Sequence, residues 1–410
     1  MTNQQRPMRG AWRISIAAAA GLALLLGACS SDTTTDTASG GAAPDPVATD
    51  GGSGGTTPGT AVPEGVGPVP GAEWETADPA SLGFDPAKLD ALSAQAGAGG
   101  STCLVVAKDG KLVEEDYYNG GAADTPQEVW SATKSYSSTL VGIAQDEGLL
   151  SIDDLATEYI PEWEGTPSED ITVRNLIAND SGRYWDYETD YFRMAGGAAD
   201  KTQFAIDLGQ AAPPGTTWEY NNSAIQALDR VLTKATGTGP AEYASAKLLD
   251  PIGMTSSSMT TDPTGNTLTF MGLQSTCRDM ARFGVLMLNK GNWDGEQVVS
   301  EAWVDDATGQ ASQELNGSYG YLWWLNREGA GGGDQATTGQ GDDDGEQGQM
   351  VPEVADTVYW ALGLGGQIIA IHPDSGIVAV RLAPTRVPEG AGPFPAAALS
   401  LGIEDALIDP

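Results

Sequence analysis

The chain has 410 residues, with 20 basic against 56 acidic side chains and a formal net charge of -36. Nucleic-acid binding is disfavoured, because neutralising phosphates needs clustered Lys and Arg. One His and three Cys make a His-based triad or a multi-ligand metal site hard to build, whereas 40% hydrophobic content with 11 Trp is enough for a sizeable core.

Residues 1–28 read as a signal segment. Arg6, Arg9 and Arg13 precede a largely apolar stretch, 14–26, too short to span a bilayer comfortably. Leu26-Gly27-Ala28-Cys29 follows and resembles a bacterial lipobox, which implies a lipidated Cys29 and a chain held on the outer face of the bacterial cell membrane. An ordinary secretory signal with an incidental Cys is the alternative. Between positions 30 and 71 there is no aromatic residue, Leu, Ile, Lys or Arg. Burial cannot offset the ordering entropy of such a segment, so 29–72 is expected to be a disordered tether. Within it, Gly51-Gly52-Ser53-Gly54-Gly55 matches an esterase pattern that has chemical meaning only on a strand-turn-helix elbow.

A folded domain is expected over 73–410. Asp85-Pro86 followed by Leu89 and Leu92 predicts a capped helix start. Strands are predicted over 103–107 and 111–117, joined by Lys108-Asp109-Gly110. A mostly helical stretch then runs over about 131–290, with stops at Gly148, Gly237 and Gly291, and strands return at 319–325, 358–362, 367–371 and 377–382. The class is α+β: an antiparallel β-sheet formed by both ends of the chain and flanked by helices, with a mostly helical inserted subdomain.

The strongest chemical candidate is Ser131-Ala132-Thr133-Lys134. At a spacing of three on a helix, hydroxyl and amine share a face, and a buried Lys of lowered pKa can take the hydroxyl proton. The helix N-terminus also favours an alkoxide or an oxyanion beside it. Alone, the motif equally describes a helix cap followed by a solvated Lys. A second cluster, Tyr220-Asn221-Asn222, falls on a loop before a helix predicted over 223–235. A core Tyr with Asn222 as N-cap is the plain reading; beside the Ser-x-x-Lys helix, a catalytic pair explains it better.

With these motifs and the strand start Gly363-Leu364-Gly365-Gly366-Gln367, the sequence resembles the serine β-lactamase and DD-peptidase superfamily over about 74–400. The likeness is to its class C β-lactamase-like branch, which also holds esterases and 6-aminohexanoate-dimer hydrolases. Asp250-Pro251-Ile252-Gly253-Met254 and Tyr319-Gly320-Tyr321-Leu322-Trp323-Trp324 look like the family too. The resemblance implies that Ser131 is the acylated nucleophile and that Lys134 helps to deprotonate it. It implies that Tyr220 shuttles the proton to the leaving group, that Asn222 orients substrate and Lys134, and that the N–H groups of Ser131 and Gln367 form the oxyanion hole. Gly365 and Gly366 would let the strand edge approach the acyl group. One position departs from the pattern: Leu364 stands where members that read a substrate carboxylate have Lys or His.

The expected function is therefore a serine hydrolase acting through an acyl-enzyme on an ester or amide, without cofactor or metal. The alternatives are a DD-carboxypeptidase or β-lactamase and, in another class, a non-catalytic lipid-anchored ligand-binding protein. The expected partners are a small-molecule or peptide substrate and the membrane, through Cys29. Cys103 and Cys277 are an even pair outside the cell, either a disulfide or two buried thiols. The acidic Gly-rich segment 329–356 reads either as a lid bordering the cleft or as a solvated loop. Trp323 and Trp324 should point to opposite faces of a strand, one into the core and one toward the pocket. His372 reads as a turn or surface residue.

Overall fold

The computed structural model describes residues 67–309, 314–330, 347–385, 391–392 and 394–408. All fall within one compact unit, Gly59–Pro410. The signal segment, Cys29, the tether up to residue 66 and positions 331–346 of the acidic segment lie outside the described residues. Among the described residues no helix is long and apolar enough to cross a membrane.

The strands of the central sheet, numbered in chain order, are β1 (Glu75–Thr76), β2 (Cys103–Lys108), β3 (Lys111–Tyr117), β4 (Trp324–Leu325), β5 (Tyr359–Gly363), β6 (Gln367–His372) and β7 (Ile377–Leu382). Their spatial order is β1-β3-β2-β7-β6-β5-β4. All neighbours are antiparallel except β1 and β3. The two ends of the chain meet in mid-sheet, where Val105 of β2 lies opposite Val380 of β7. The β2–β3 turn is Asp109-Gly110, with φ of 51° and 68°, the positive pair that a two-residue hairpin of this twist requires.

Five helices matter for the site: α1 (Pro86–Ala98), α2 (Thr133–Asp146), α3 (Asn222–Gln226), α4 (Cys277–Leu288) and α5 (Ala396–Ala406). Helix α1 starts as its sequence predicts, with Asp85 accepting from the Ala87 N–H at 2.9 Å and Pro86 in the first turn. Helices α1 and α5 pack together against the sheet, and α4 packs on β2, β6 and β7. With both faces covered, all six residues of β6 and of β7 are buried. Each buried Val or Ile there contributes about 1.5–3 kcal/mol. A disulfide joins Cys103 of β2 to Cys277 at the start of α4, with Cα atoms 6.5 Å apart.

Several expectations need correction. Contacts with the fold are made before residue 73: Asn289 Nδ2 donates to Gly67 O at 3.0 Å, and Arg282 donates to the carbonyls of Gly71 and Ala72. Segment 319–325 yields only the two-residue β4, because Leu322 adopts a left-handed φ of 60° and the chain folds back so that Tyr319 bridges to Trp324. The helix expected over 223–235 divides at Ala227 into α3 and a second piece, Leu228–Thr236, and its N-cap is Asn221 rather than Asn222. His372 is buried at the end of β6, with Nδ1 2.9 Å from Glu404 Oε1 on α5.

Candidate active site

Helix α2 is the axis of the site. Every residue from Thr133 to Ala144 is buried, so the helix sits inside the molecule, where its small hydroxyl residues need partners. Three of them find partners in neighbouring main chain, whereas Ser138 Oγ is buried without one among the described residues. Ser135 donates to Leu322 O at 2.8 Å, Ser137 donates to Thr269 O at 2.7 Å, and Thr133 Oγ1 accepts from Leu273 N at 3.1 Å. Gly142 leaves room for the Trp303 ring, which would lie 2.5 Å from a Cβ at that position. These contacts fix the helix before any catalytic group is placed on it.

Ser131 lies on a 3-10 turn, Trp130–Ala132, that leads into α2. Trp130 has a φ of 51°, a sparsely populated conformation for a bulky residue. Its ring is anchored by Nε1 donating to Thr385 Oγ1 at 2.9 Å. On the same face, Lys134 Nζ donates to Ser131 Oγ at 2.8 Å and to Phe270 O at 3.0 Å. The lysine is 1% exposed. Burial pulls its pKa down to about 7, partly opposed by the negative charge of Asp190. Above neutrality it is therefore an amine within reach of the serine proton.

Tyr220 completes this centre. Its ring lies under Lys134, with Nζ 4.7 Å from the centroid. Burial and the neighbouring Tyr191 hold the phenol well above its ordinary pKa, opposed in part by the nearby Ser131 hydroxyl. It therefore stays protonated at neutral pH. Behind it Trp324 stacks on the Tyr220 ring at 5.6 Å, while Trp323 stacks on Phe283 at 5.7 Å. The two tryptophans thus serve opposite sides, but both are buried.

Sequence reasoning missed Asp190, which lies on a π-helical segment, Glu188–Ala195. Its buried carboxylate accepts from Asn222 Nδ2 at 2.7 Å, Asn222 N at 3.2 Å, Ser223 Oγ at 2.7 Å and Ser223 N at 2.8 Å. Burial nevertheless raises its pKa. In a chain with 56 acidic residues nothing marks this one out in the sequence. Asn222 therefore reaches Asp190 and not Lys134, and its Oδ1 is buried without a partner among the described residues.

The glycine-rich segment forms the turn between β5 and β6. Gly363 is the last residue of β5 and pairs with Gln367 of β6, leaving Leu364, Gly365 and Gly366 as the hairpin loop. Gly363 abuts the nucleophile turn: a Cβ there would lie 2.1 Å from Val129 O. Gln367 is fully buried on the inner strand, with Nε2 donating to Leu364 O and Ala383 O and Oε1 accepting from Ala383 N. Its side chain braces the loop from behind. Gly363 O accepts from Gly366 N at 3.0 Å, which closes the turn. The Leu364 side chain is 46% exposed.

The geometry sits in a known family. The Beta-lactamase family model matches residues 87–401, and the chain belongs to that family. It is 27% identical over 250 residues to a 6-aminohexanoate-dimer hydrolase of Paenarthrobacter ureafaciens, a match that takes in 54% of this chain and 63% of that protein's length. Among solved structures it resembles a penicillin-binding protein homologue of Caulobacter crescentus, with a TM-score of 0.59 and 13% identity over 82% of this chain and 99% of the other. It also resembles a D-alanine carboxypeptidase of Burkholderia cenocepacia, with a TM-score of 0.56 and 19% identity over 78% of this chain and 97% of the other. At these identities the structures establish the fold, and the family makes the chain a hydrolase.

Proposed function

We propose that the protein is a serine hydrolase that cleaves an ester or amide through an acyl-enzyme on Ser131. The observation that carries this reading is the buried Lys134, with Nζ 2.8 Å from Ser131 Oγ and a pKa of about 7. The neutral amine takes the Ser131 proton as Oγ attacks the carbonyl carbon. The oxyanion is held by the N–H groups of Ser131 and Gln367, each worth on the order of 3 kcal/mol. Tyr220 passes the proton to the departing oxygen or nitrogen, the bond to the leaving group breaks, and water then hydrolyses the acyl-enzyme by the reverse relay. Asn222, fixed by Asp190, presents its unpaired Oδ1 as an acceptor for substrate.

Leu364 supports an uncharged substrate, because no cation stands at that rim position to offset a carboxylate's desolvation. Intact-mass measurement with a slow p-nitrophenyl ester should show one acyl adduct, absent in Ser131→Ala. Steady turnover surviving in that variant would sink the reading. For the anchor at Cys29, metabolic labelling with a fatty acid should mark the wild-type chain and not Cys29→Ala, which should leave the membrane fraction.

A further inference from the structure

Of the nine large hydrophobic side chains exposed among the described residues, three lie within nine positions: Tyr184 at 43%, Tyr187 at 44% and Phe192 at 49%. A fourth is Leu364. Exposed apolar side chains scattered singly need no explanation, whereas a cluster beside a cleft does. This cluster is continuous with the catalytic groups. Tyr191 follows Asp190, whose carboxylate holds Asn222, two residues from Tyr220. Tyr191 lies 4.9 Å from Tyr187, and Tyr187 meets Phe192 edge-on at 5.6 Å. Three rings therefore lead from the segment that holds Asn222 outward to solvent. Asp190, at the inner end of the same segment, ties it to α3 through four hydrogen bonds, so the run is held at a fixed position against the catalytic groups.

We propose that Tyr187 and Phe192 form the subsite for the leaving group, and that this leaving group is an uncharged apolar or aryl-bearing alcohol or amine. The assignment rests on the acyl-enzyme reading. In that reading Tyr220 hands the proton to the departing atom, so the rings on the segment anchored to Asn222, two residues from Tyr220, flank that atom's substituent. Leu364, in the loop that leads to the Gln367 oxyanion donor, flanks the acyl side. Asp186 and Glu188 border the rings, which disfavours an anionic leaving group. Contact with a ring is made in the Michaelis complex and in the acylation transition state and is lost once the alcohol departs. It should therefore act on kcat/KM and not on hydrolysis of the shared acyl-enzyme.

The test compares ethyl acetate with 2-phenylethyl acetate, whose alcohols are similar in acidity, on the folded chain. The wild type should prefer the phenylethyl ester in kcat/KM by about tenfold, the scale of an apolar group entering a pocket. Tyr187→Ser and Phe192→Ser should each collapse that ratio toward one, while Leu401→Ser, an exposed apolar residue on α5, should keep it. A wild-type ratio near one overturns the subsite. So does a ratio unchanged in both ring variants while Ser131→Ala abolishes turnover, an outcome that leaves the hydrolase reading standing. Turnover that survives Ser131→Ala overturns that reading and this subsite with it.

Discussion

The carboxylate of Asp190 accepts from Asn222 Nδ2 at 2.7 Å from a segment 32 residues earlier in the chain, and the same carboxylate opposes the burial that lowers Lys134's pKa. One side chain thus positions a substrate-facing group and biases the proton acceptor. Removing the negative charge in Asp190→Asn takes away what favours the ammonium, so the Lys134 pKa should fall further. The acid limb of the kcat/KM profile should move to lower pH, and kcat should drop about tenfold to a hundredfold as Asn222 loses its anchor. If Asp190 served packing alone, the limb would stay in place.

Lys134 must be unprotonated to act. In wild type kcat/KM should therefore rise with a midpoint near pH 7 and level off above it. Lys134→Arg, which stays charged, should lose activity at every pH. Stability follows from the same shift. The folded pKa of about 7 lies below the ordinary lysine value of 10.5, so between these values the unfolded chain holds a proton that the folded chain has shed, and stability rises with pH across that window. Lys134→Met should be more stable than wild type at pH 6, with the gap closing toward pH 10, as urea melts would show.

Arg381 is 2% exposed and ends among neutral acceptors: Ser101 Oγ at 2.8 Å, Gly365 O at 3.0 Å, Gly366 O at 2.8 Å and Gly99 O at 3.0 Å. Burial pulls its pKa down to about 10. It grips the Leu364-Gly365-Gly366 loop that leads into Gln367, and Gly366 has no room for a side chain, since a Cβ would meet Arg381 Nη1 at 2.0 Å. Arg381→Met strands these carbonyls and should cost about 2–4 kcal/mol of stability. It should also lower kcat more than it raises KM, because an oxyanion donor acts chiefly in the transition state. Arg381→Lys should fall between the two.

Local signals carried much of this site. The Asp85-Pro86 cap, the Asp109-Gly110 turn and the Ser131-x-x-Lys134 spacing are decided by neighbours in sequence, and each forms where its residues predict. Asp190 and Arg381 act on partners far away in the chain, and their residue types are unremarkable on an acidic chain with few cations, so no local pattern announces them. The glycine-rich run lies between these cases: its glycines announce a turn, and the pairing of Gly363 with Gln367 across a three-residue loop places that turn at Leu364-Gly365-Gly366.

The Cys103–Cys277 bond closes a loop of sequence separation 174, ties β2 to α4 and lies next to strand β7 through the Cys103–Leu382 pairing. It encloses both α2 and the Tyr220 loop, so the cross-link restricts the unfolded chain across the whole catalytic region. The double variant Cys103→Ser/Cys277→Ser should lose about 2–5 kcal/mol in guanidinium melts. Both cysteines are buried, so a mild reductant should act slowly on the native protein and quickly once denaturant opens it. Because neither sulfur touches Ser131, Lys134 or Tyr220, the variant should keep the wild-type pH midpoint at low temperature. A shifted midpoint would mean that the bond also shapes the surroundings of Lys134.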